Sequence, residues 1–247
     1  MAGGGGWEVN DKRINMKIGG IQAQSLIDWP DEVCAVFFAV GCNFKCPFCY
    51  NIDLVLEKSK IIPEKEIENF LEERKNFLDA IMLSGGEPTM QNDLPEFIKK
   101  IKSYGYKVGI ETNGTNPDMI ERLLKEKLLD FIAMDIKSDF ESYEKTVRAK
   151  VNIKKIKKSI ELIKNSNMLY EFRTTIVPGL FDENTAEKIG ELLKGAKKYV
   201  LQQFVNENNM LDNSYKKIKP YSLSELDKFK KILQKRIKDV EIKHSKF

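Results

Sequence analysis

The stretch VCAVFFAVGCNFKCPFCYN, residues 33–51, sets the reading of the whole chain. Its first eight residues, Val33 to Val40, are apolar, β-branched or aromatic, as in a strand buried on both faces. The rest is a loop with Cys42, Cys46 and Cys49 in C-x3-C-x2-C spacing. Thiolates are soft ligands that suit iron–sulfur clusters or zinc. Ordinary [4Fe–4S] sites use four cysteines, and here three stand together. Cys34 lies eight residues before Cys42, roughly 26 Å away along a strand rising about 3.3 Å per residue. It reads as a buried core thiol at the far end of the strand. Three ligands leave one iron open to a substrate or cofactor. The competing reading is a zinc ribbon or knuckle, which needs a fourth nearby Cys or His.

Outward from this loop, strand-like and helix-like segments alternate. Strands are expected at 33–40, 80–84, 106–111, 131–135, 169–177 and 199–203. Helices are expected at 64–76, near 93–103, and at 117–127, 152–165, 183–194 and 223–237. In the first helix Ile67, Phe70, Leu71 and Arg74 share a face behind Pro63. Val240–Ile242 adds a candidate last strand. Six strand-to-helix units in series predict an α/β fold with a parallel sheet, a partial (βα)6 TIM-like barrel. Chemistry in such folds gathers where the strands end. Residues 1–15, with the run Gly3 to Gly6, read as a flexible N-terminal extension or expression remnant. Residues 16–247 read as a single domain, and Met16 as a candidate start.

The bulk numbers exclude several classes. With 41 basic and 37 acidic residues in 247, the net charge is +4, which gives no basic footprint for nucleic acid or a membrane surface. The run Lys154, Lys155, Ile156, Lys157, Lys158 reads as a solvated helix face. No apolar run approaches the roughly 20 residues of a bilayer-crossing helix, and no signal peptide is apparent. Four cysteines, three of them clustered, point to metal binding in a reducing, cytoplasmic compartment rather than a disulfide framework. His244 is the single histidine, which argues against a histidine general base or a Ser-His-Asp triad.

The loops after the later strands carry further candidates. Ser84-Gly85-Gly86-Glu87-Pro88-Thr89 and Glu111-Thr112-Asn113-Gly114-Thr115 are, taken alone, turns with permissive backbone. Asp135 and Lys137 alternate, so both face one side of a strand end, as an ion pair or as ligand contacts. Arg173 heads Arg173-Thr174-Thr175-Ile176-Val177-Pro178-Gly179, and Leu201-Gln202-Gln203-Phe204 ends the sixth strand. Phe48 and Tyr50 flank the last cysteine, as loop packing or as a wall for a ligand.

Together these strings resemble the radical S-adenosylmethionine (SAM) superfamily from about Ile21 to Lys231, and the radical SAM fold is the one expected. The resemblance implies a [4Fe–4S] cluster on Cys42, Cys46 and Cys49, with SAM chelating the fourth iron. It implies that Gly85, Gly86, Glu87 and Pro88 approach SAM closely, with glycine keeping side chains out of the way. Glu87 would hold that motif or the ammonium group, and Thr112 and Asn113 would lie beside SAM. Asp135 is expected near a monovalent cation or the ribose, and Lys137 and Arg173 near the carboxylate. Gln203 would stand in for a polar residue that Phe204 cannot be, Phe48 would sit near the adenine, and Tyr50 is a further candidate cofactor contact. Glu111 stands where relatives carry an Asp that helps bind the cation, and its greater length displaces that carboxylate.

Within the superfamily the strings look most like activating enzymes of glycyl-radical proteins, above all those of anaerobic ribonucleoside-triphosphate reductase. Asp28-Trp29-Pro30, Glu171-Phe172-Arg173-Thr174-Thr175 and Leu211-Asp212-Asn213-Ser214-Tyr215 carry that similarity. It implies reductive cleavage of SAM to methionine and a 5′-deoxyadenosyl radical, which takes a hydrogen atom from a glycine Cα of the partner enzyme. The electron would come from a flavodoxin or ferredoxin-type reductant. Alternatives are a pyruvate formate-lyase-type activating enzyme, a radical SAM enzyme acting on a small molecule such as a deazapurine precursor, and a non-catalytic metal-binding module. Anaerobic reconstitution is expected to give a brown protein with about four irons per chain; a colourless protein with a single zinc would favour the ribbon.

Overall fold

The fold opens with an antiparallel pair, β1 (Ile18–Ser25) and β2 (Cys34–Ala39), joined by the 26–33 loop. These are elements of a computed structural model that describes residues 14–206 and 209–243. Residues 1–13 of the expected N-terminal extension, and His244, lie outside the described residues. After β2 come the cysteine loop, the short α1 (Ile52–Val55) and α2 (Glu64–Arg74). Then follow β3 (Ala80–Gly85), α3 (Leu94–Ser103), β4 (Lys107–Thr112), α4 (Pro117–Lys125) and β5 (Phe131–Asp135). The second half adds α5 (Tyr143–Val147), α6 (Ile153–Lys164), β6 (Leu169–Ile176) and α7 (Glu183–Leu192). It closes with β7 (Lys198–Gln203), α8 (Leu223–Gln234) and β8 (Asp239–Lys243).

The eight strands form one sheet in chain order, and from β2 to β8 every pairing is parallel. The six expected strand-to-helix units are present, making a partial TIM-like barrel. Strand β1, with its glycines and glutamines, was not among the expected strands and adds an antiparallel edge.

The helices follow their apolar periodicity. In α6, Ile156, Ile160 and Ile163 are buried while Lys154, Lys155, Lys157 and Lys158 face water. Side-chain oxygens of Asn116, Asp182 and Ser222 cap α4, α7 and α8, and Ser222 forms a reciprocal box with Glu225. In α2, Ile67 and Leu71 are buried, whereas Arg74 is exposed and lies over the Phe70 ring. Among the described residues no helix is long and apolar enough to cross a membrane.

The barrel interior has two unlike halves. On the β2–β5 side Cys34, Val36, Ala80, Met82, Phe131 and Ala133 pack with Trp29 from the β1–β2 loop. Cys34 is fully buried at the start of β2, as expected, and burial pushes its thiol up to about 12. Trp29 plugs this floor, with its ring centroid 5.3 Å from that of Phe131. Room for it depends on Gly109, where an added Cβ would stand 2.7 Å from the indole. On the β6–β8 side the interior is charged. Glu171, Arg173, Lys198, Glu241 and Lys243 form a chain of ion pairs. The sheet does not close, since β1 and β8 are its two edges. Between the 26–31 loop and β8 lies a lateral cavity of about 520 Å³.

Trp29→Ala would empty the plug. A loss of about 3–5 kcal/mol is expected, read as a lower urea midpoint with an unchanged slope.

Candidate functional site

The C-terminal ends of β2 to β7 surround one cleft of about 290 Å³, and the cysteine loop forms one wall. Cys42, Cys46 and Cys49 all line it, together with Gly85, Gly86, Glu87, Thr112, Asn113, Asp135, Lys137, Arg173 and Gln203. Phe48 and Tyr50 line it as well, so the structure brings these sequence candidates to a single place. Pro88 is buried just behind, opening a short 3-10 turn.

The thiols are held protonated by burial. It pushes Cys42 up to about 11 and Cys46 up to about 12, and raises Cys49. The Lys137 ammonium works the other way on all three, and the Phe44 N–H donates to the Cys42 sulfur at 3.4 Å. A metal cation would reverse the balance, because a coordinating thiol is deprotonated outright. Among the described residues no three Cys, His, Asp or Glu side chains converge on a single ion position. A cluster spreads its ligands over separate irons, so three thiols around one cleft fit a polynuclear group better than one zinc.

The glycine pair is also required by the protein's own backbone. Gly85 has φ +106°, and its Cβ would stand 2.5 Å from the Ala39 backbone nitrogen. At Gly86 a Cβ would stand 1.9 Å from the Gly41 carbonyl oxygen. The clash is with the end of β2, not with the cleft. The close approach lets the Gly86 N–H donate to Ala39 O and the Glu87 N–H to Gly41 O, both at 2.8 Å.

Glu87 is 1% exposed and fully engaged within the protein. Its Oε1 accepts from the Thr89 N–H at 3.1 Å, the Thr89 hydroxyl and the Thr112 hydroxyl at 2.7 Å. Its Oε2 accepts from the Asn113 N–H at 2.6 Å. Burial pushes its pKa up, and these four donors oppose the rise. Of the two expected roles, this geometry is that of a brace within the motif.

Asn113 donates to Asn43 Oδ1 at 2.8 Å, and Asn43 donates to Thr115 Oγ1 at 2.9 Å, tying the cysteine loop to the loop after β4. Asn51 donates to Gly85 O at 3.0 Å. Asn43 and Asn51 escaped the sequence reading, because an asparagine in a polar loop gives no signal of a partner far along the chain.

Also lining the cleft, Lys137 pairs with Asp135 at 2.9 Å. Arg173 reaches Glu111 at 2.6 Å, Asp135 at 3.2 Å and Glu171 at 3.9 Å. The other Glu111 oxygen accepts from Ser84 Oγ, so both oxygens of the expected cation carboxylate are taken. The two cations hold Asp135 below the usual carboxylate range, although burial opposes them. The surrounding carboxylates raise Lys137 and Arg173 against the same opposition. Gln203 donates to Tyr221 O at 3.1 Å, and Phe204 is fully buried. Phe48 belongs both to the core and to the cleft wall, and the Tyr50 hydroxyl is bonded to the Val205 backbone.

Comparisons with known proteins agree with this constellation. Residues 36–194 match the family model described as the radical SAM superfamily. A Methanocaldococcus jannaschii protein described as a "putative glycyl-radical enzyme activating enzyme" is 39% identical over 231 residues, covering 92% of this chain and 95% of its own. A second protein of that description from the same organism is 30% identical over 206 residues, covering 81% and 77%. Among solved structures, Streptococcus suis SuiB bound to S-adenosylmethionine superposes with a TM-score of 0.64 at 16% identity, over 85% of this chain and 49% of SuiB.

Glu87→Gln would set an NH2 group against donors that now meet an oxygen. A loss of about 1–3 kcal/mol is expected, measured by urea denaturation of the metal-free protein. Thr89→Val, which removes one donor, should cost less.

Proposed function

The chain belongs to the radical SAM superfamily, and on that premise we propose that it activates a glycyl-radical enzyme, with anaerobic ribonucleoside-triphosphate reductase the first candidate partner. We take residues 16–247 as one catalytic domain working in the reducing cytoplasm. The observation that carries this reading is the three thiols, alone of their kind in the cleft, placed where β2 ends and sharing it with the buried ion pairs of Lys137 and Arg173. In this reading Cys42, Cys46 and Cys49 would hold a [4Fe–4S] cluster with three protein ligands, which would leave a coordination site for SAM.

When bound, this pair supplies a one-electron cleavage of the SAM S–C5′ bond, using an electron from a flavodoxin- or ferredoxin-type reductant, and a carbon radical that takes hydrogen from a glycine Cα. The chain's own residues bind and orient. The backbone at Ser84–Gly86 offers acceptors to the SAM amine. Arg173 already faces three carboxylates, so Lys137 is the stronger candidate for the SAM carboxylate, with Asp135 orienting it. Thr112, Asn113 and Gln203 lie within the same wall, and Phe48 and Tyr50 supply apolar surface for the adenine.

A protein substrate is supported by the open side of the barrel. The cleft and the lateral cavity share Asp28, Arg173 and Gln202, so the two adjoin across these side chains. Leu26 and Ile27 stand exposed at its lip, 68% and 44% accessible. A loop of a partner carrying its glycine can enter there without the barrel unfolding. The names of the two archaeal relatives support the same class of partner.

The test is anaerobic incubation of the reconstituted protein with SAM, dithionite and purified glycyl-radical enzymes. A doublet EPR signal on the ribonucleotide reductase is the expected result. Cleavage of SAM with no radical on any candidate would remove the activase reading. Serine at 42, 46 or 49 should abolish both cleavage and the reduced-cluster signal, whereas Cys34→Ser should keep iron and cleavage while lowering stability.

A further inference from the structure

The segment after β7 runs over the outer side of the cysteine loop and is bonded to it at three points. The Leu211 N–H donates to Cys49 O at 3.0 Å, and the Asp212 N–H donates to Pro47 O at 2.9 Å. The Tyr50 hydroxyl donates to Val205 O and accepts from the Val205 N–H at 3.2 Å. The carbonyls gripped in this way belong to the third cysteine and to the proline between the second and third.

The segment is itself pinned. Arg148 reaches Asp212 Oδ2 at 2.7 Å, with its guanidinium 5.9 Å from the centre of the Tyr215 ring. Asp212 Oδ1 caps the short 3-10 helix Asn213–Lys217 through the Ser214 N–H and hydroxyl. Met210 is buried beneath. On the other side of the cysteine loop, the Lys45 N–H donates to Val147 O at 2.8 Å, one residue before Arg148. Arg148 ends α5 in the left-handed region, φ +48°. One short stretch, Val147-Arg148, therefore touches the cysteine loop directly and also holds the segment that clamps its far end.

We propose that Arg148 and Asp212 are positioning residues for the cluster: their ion pair fixes the 211–212 backbone, which sets the position of the Cys49 thiolate. Both side chains are partly exposed, and neither lines the cleft. An exposed pair adds little to global stability. Its effect here is local, because the backbone it steadies bonds to the last ligand's own carbonyl. Loss of the pair frees that carbonyl and allows the third thiolate to leave its iron more often. The proposal rests on the cluster assignment above, and iron uptake by the unaltered chain tests that assignment separately.

The experiment compares wild type with Arg148→Ala, Arg148→Lys and Asp212→Asn, all reconstituted anaerobically. Asparagine keeps the cap on Ser214 and removes the charge. The readouts are the rate of iron release to a chelator, the EPR line shape of the reduced cluster, and the unfolding midpoint of the iron-free proteins. Arg148→Ala and Asp212→Asn are expected to release iron several-fold faster and to broaden the EPR signal. Arg148→Lys should recover most of the wild-type rate, and the iron-free midpoints should stay close to wild type. Wild-type release rates and line shapes in all variants would overturn the proposal. So would faster release only in variants whose iron-free midpoint falls in proportion, since that marks general destabilisation. A wild-type chain that takes up no iron would instead sink the cluster assignment.

Discussion

The site depends on one buried carboxylate. Glu87 sits where water cannot reach it, and an unpaired charge there would be costly. It is tolerated because four donors from two strand ends converge on it. Hydrogen bonds to charged groups contribute about 1.5–3 kcal/mol each, and they cannot all be kept unless the loops after β3 and β4 take a single arrangement. The Glu87 N–H carries the constraint onward to Gly41 O, immediately before the first cysteine. Three strand ends are thus referenced to one side chain. A cofactor-binding loop on a parallel sheet has no ladder of its own beyond the last strand residue, and Glu87 replaces it.

The contrast between the two interior halves has a consequence for how the site stays open. An apolar floor under β2–β5, plugged by Trp29, is dry and close-packed. The β6–β8 half keeps buried charges, which must be paired to be tolerated, and it pairs them along one chain from Asp135 through Arg173 and Glu171 to Lys198 and Lys243. Charged residues facing inward along β8 also keep that edge from collapsing onto β1, much as inward-pointing charges protect edge strands elsewhere. The lateral opening is lined by Lys198, Glu241 and Lys243, and Arg173 links these charges to the wall of the cleft.

The alternation of strands and helices was legible because the buried strands of a parallel sheet are apolar on both faces. Val33–Val40 and Phe131–Met134 can hardly be read otherwise. Strand β1 was not legible. It pairs on one side only, reads Ile-Gly-Gly-Ile-Gln-Ala-Gln-Ser, and is half exposed, so neither composition nor alternation marks it. The site candidates were legible because they sit in short motifs immediately after strands. Their partners were not. That Gly86 faces Gly41 O, that Glu111 faces Arg173 and Ser84, or that Asn43 meets Asn113 depends on the register between strands, and register is not written locally. The glycines likewise carry a requirement that was not legible locally: the close approach between β3 and the end of β2.

Register also explains why the cysteine loop needs support from outside the barrel. Its beginning is fixed by Glu87 and by the β2–β3 ladder. Its end, from Pro47 to Tyr50, has left the sheet, and beyond the local turn it is bonded to the segment after β7, more than 150 residues on. Cys42 is thus next to the anchored end, while Cys46 and Cys49 flank the stretch held by Val205, Leu211 and Asp212. A group that bridges all three couples these two halves of the chain. Its tightness therefore reports on packing at both ends of the sheet, and residues as far from the cleft as Arg148 fall within its reach.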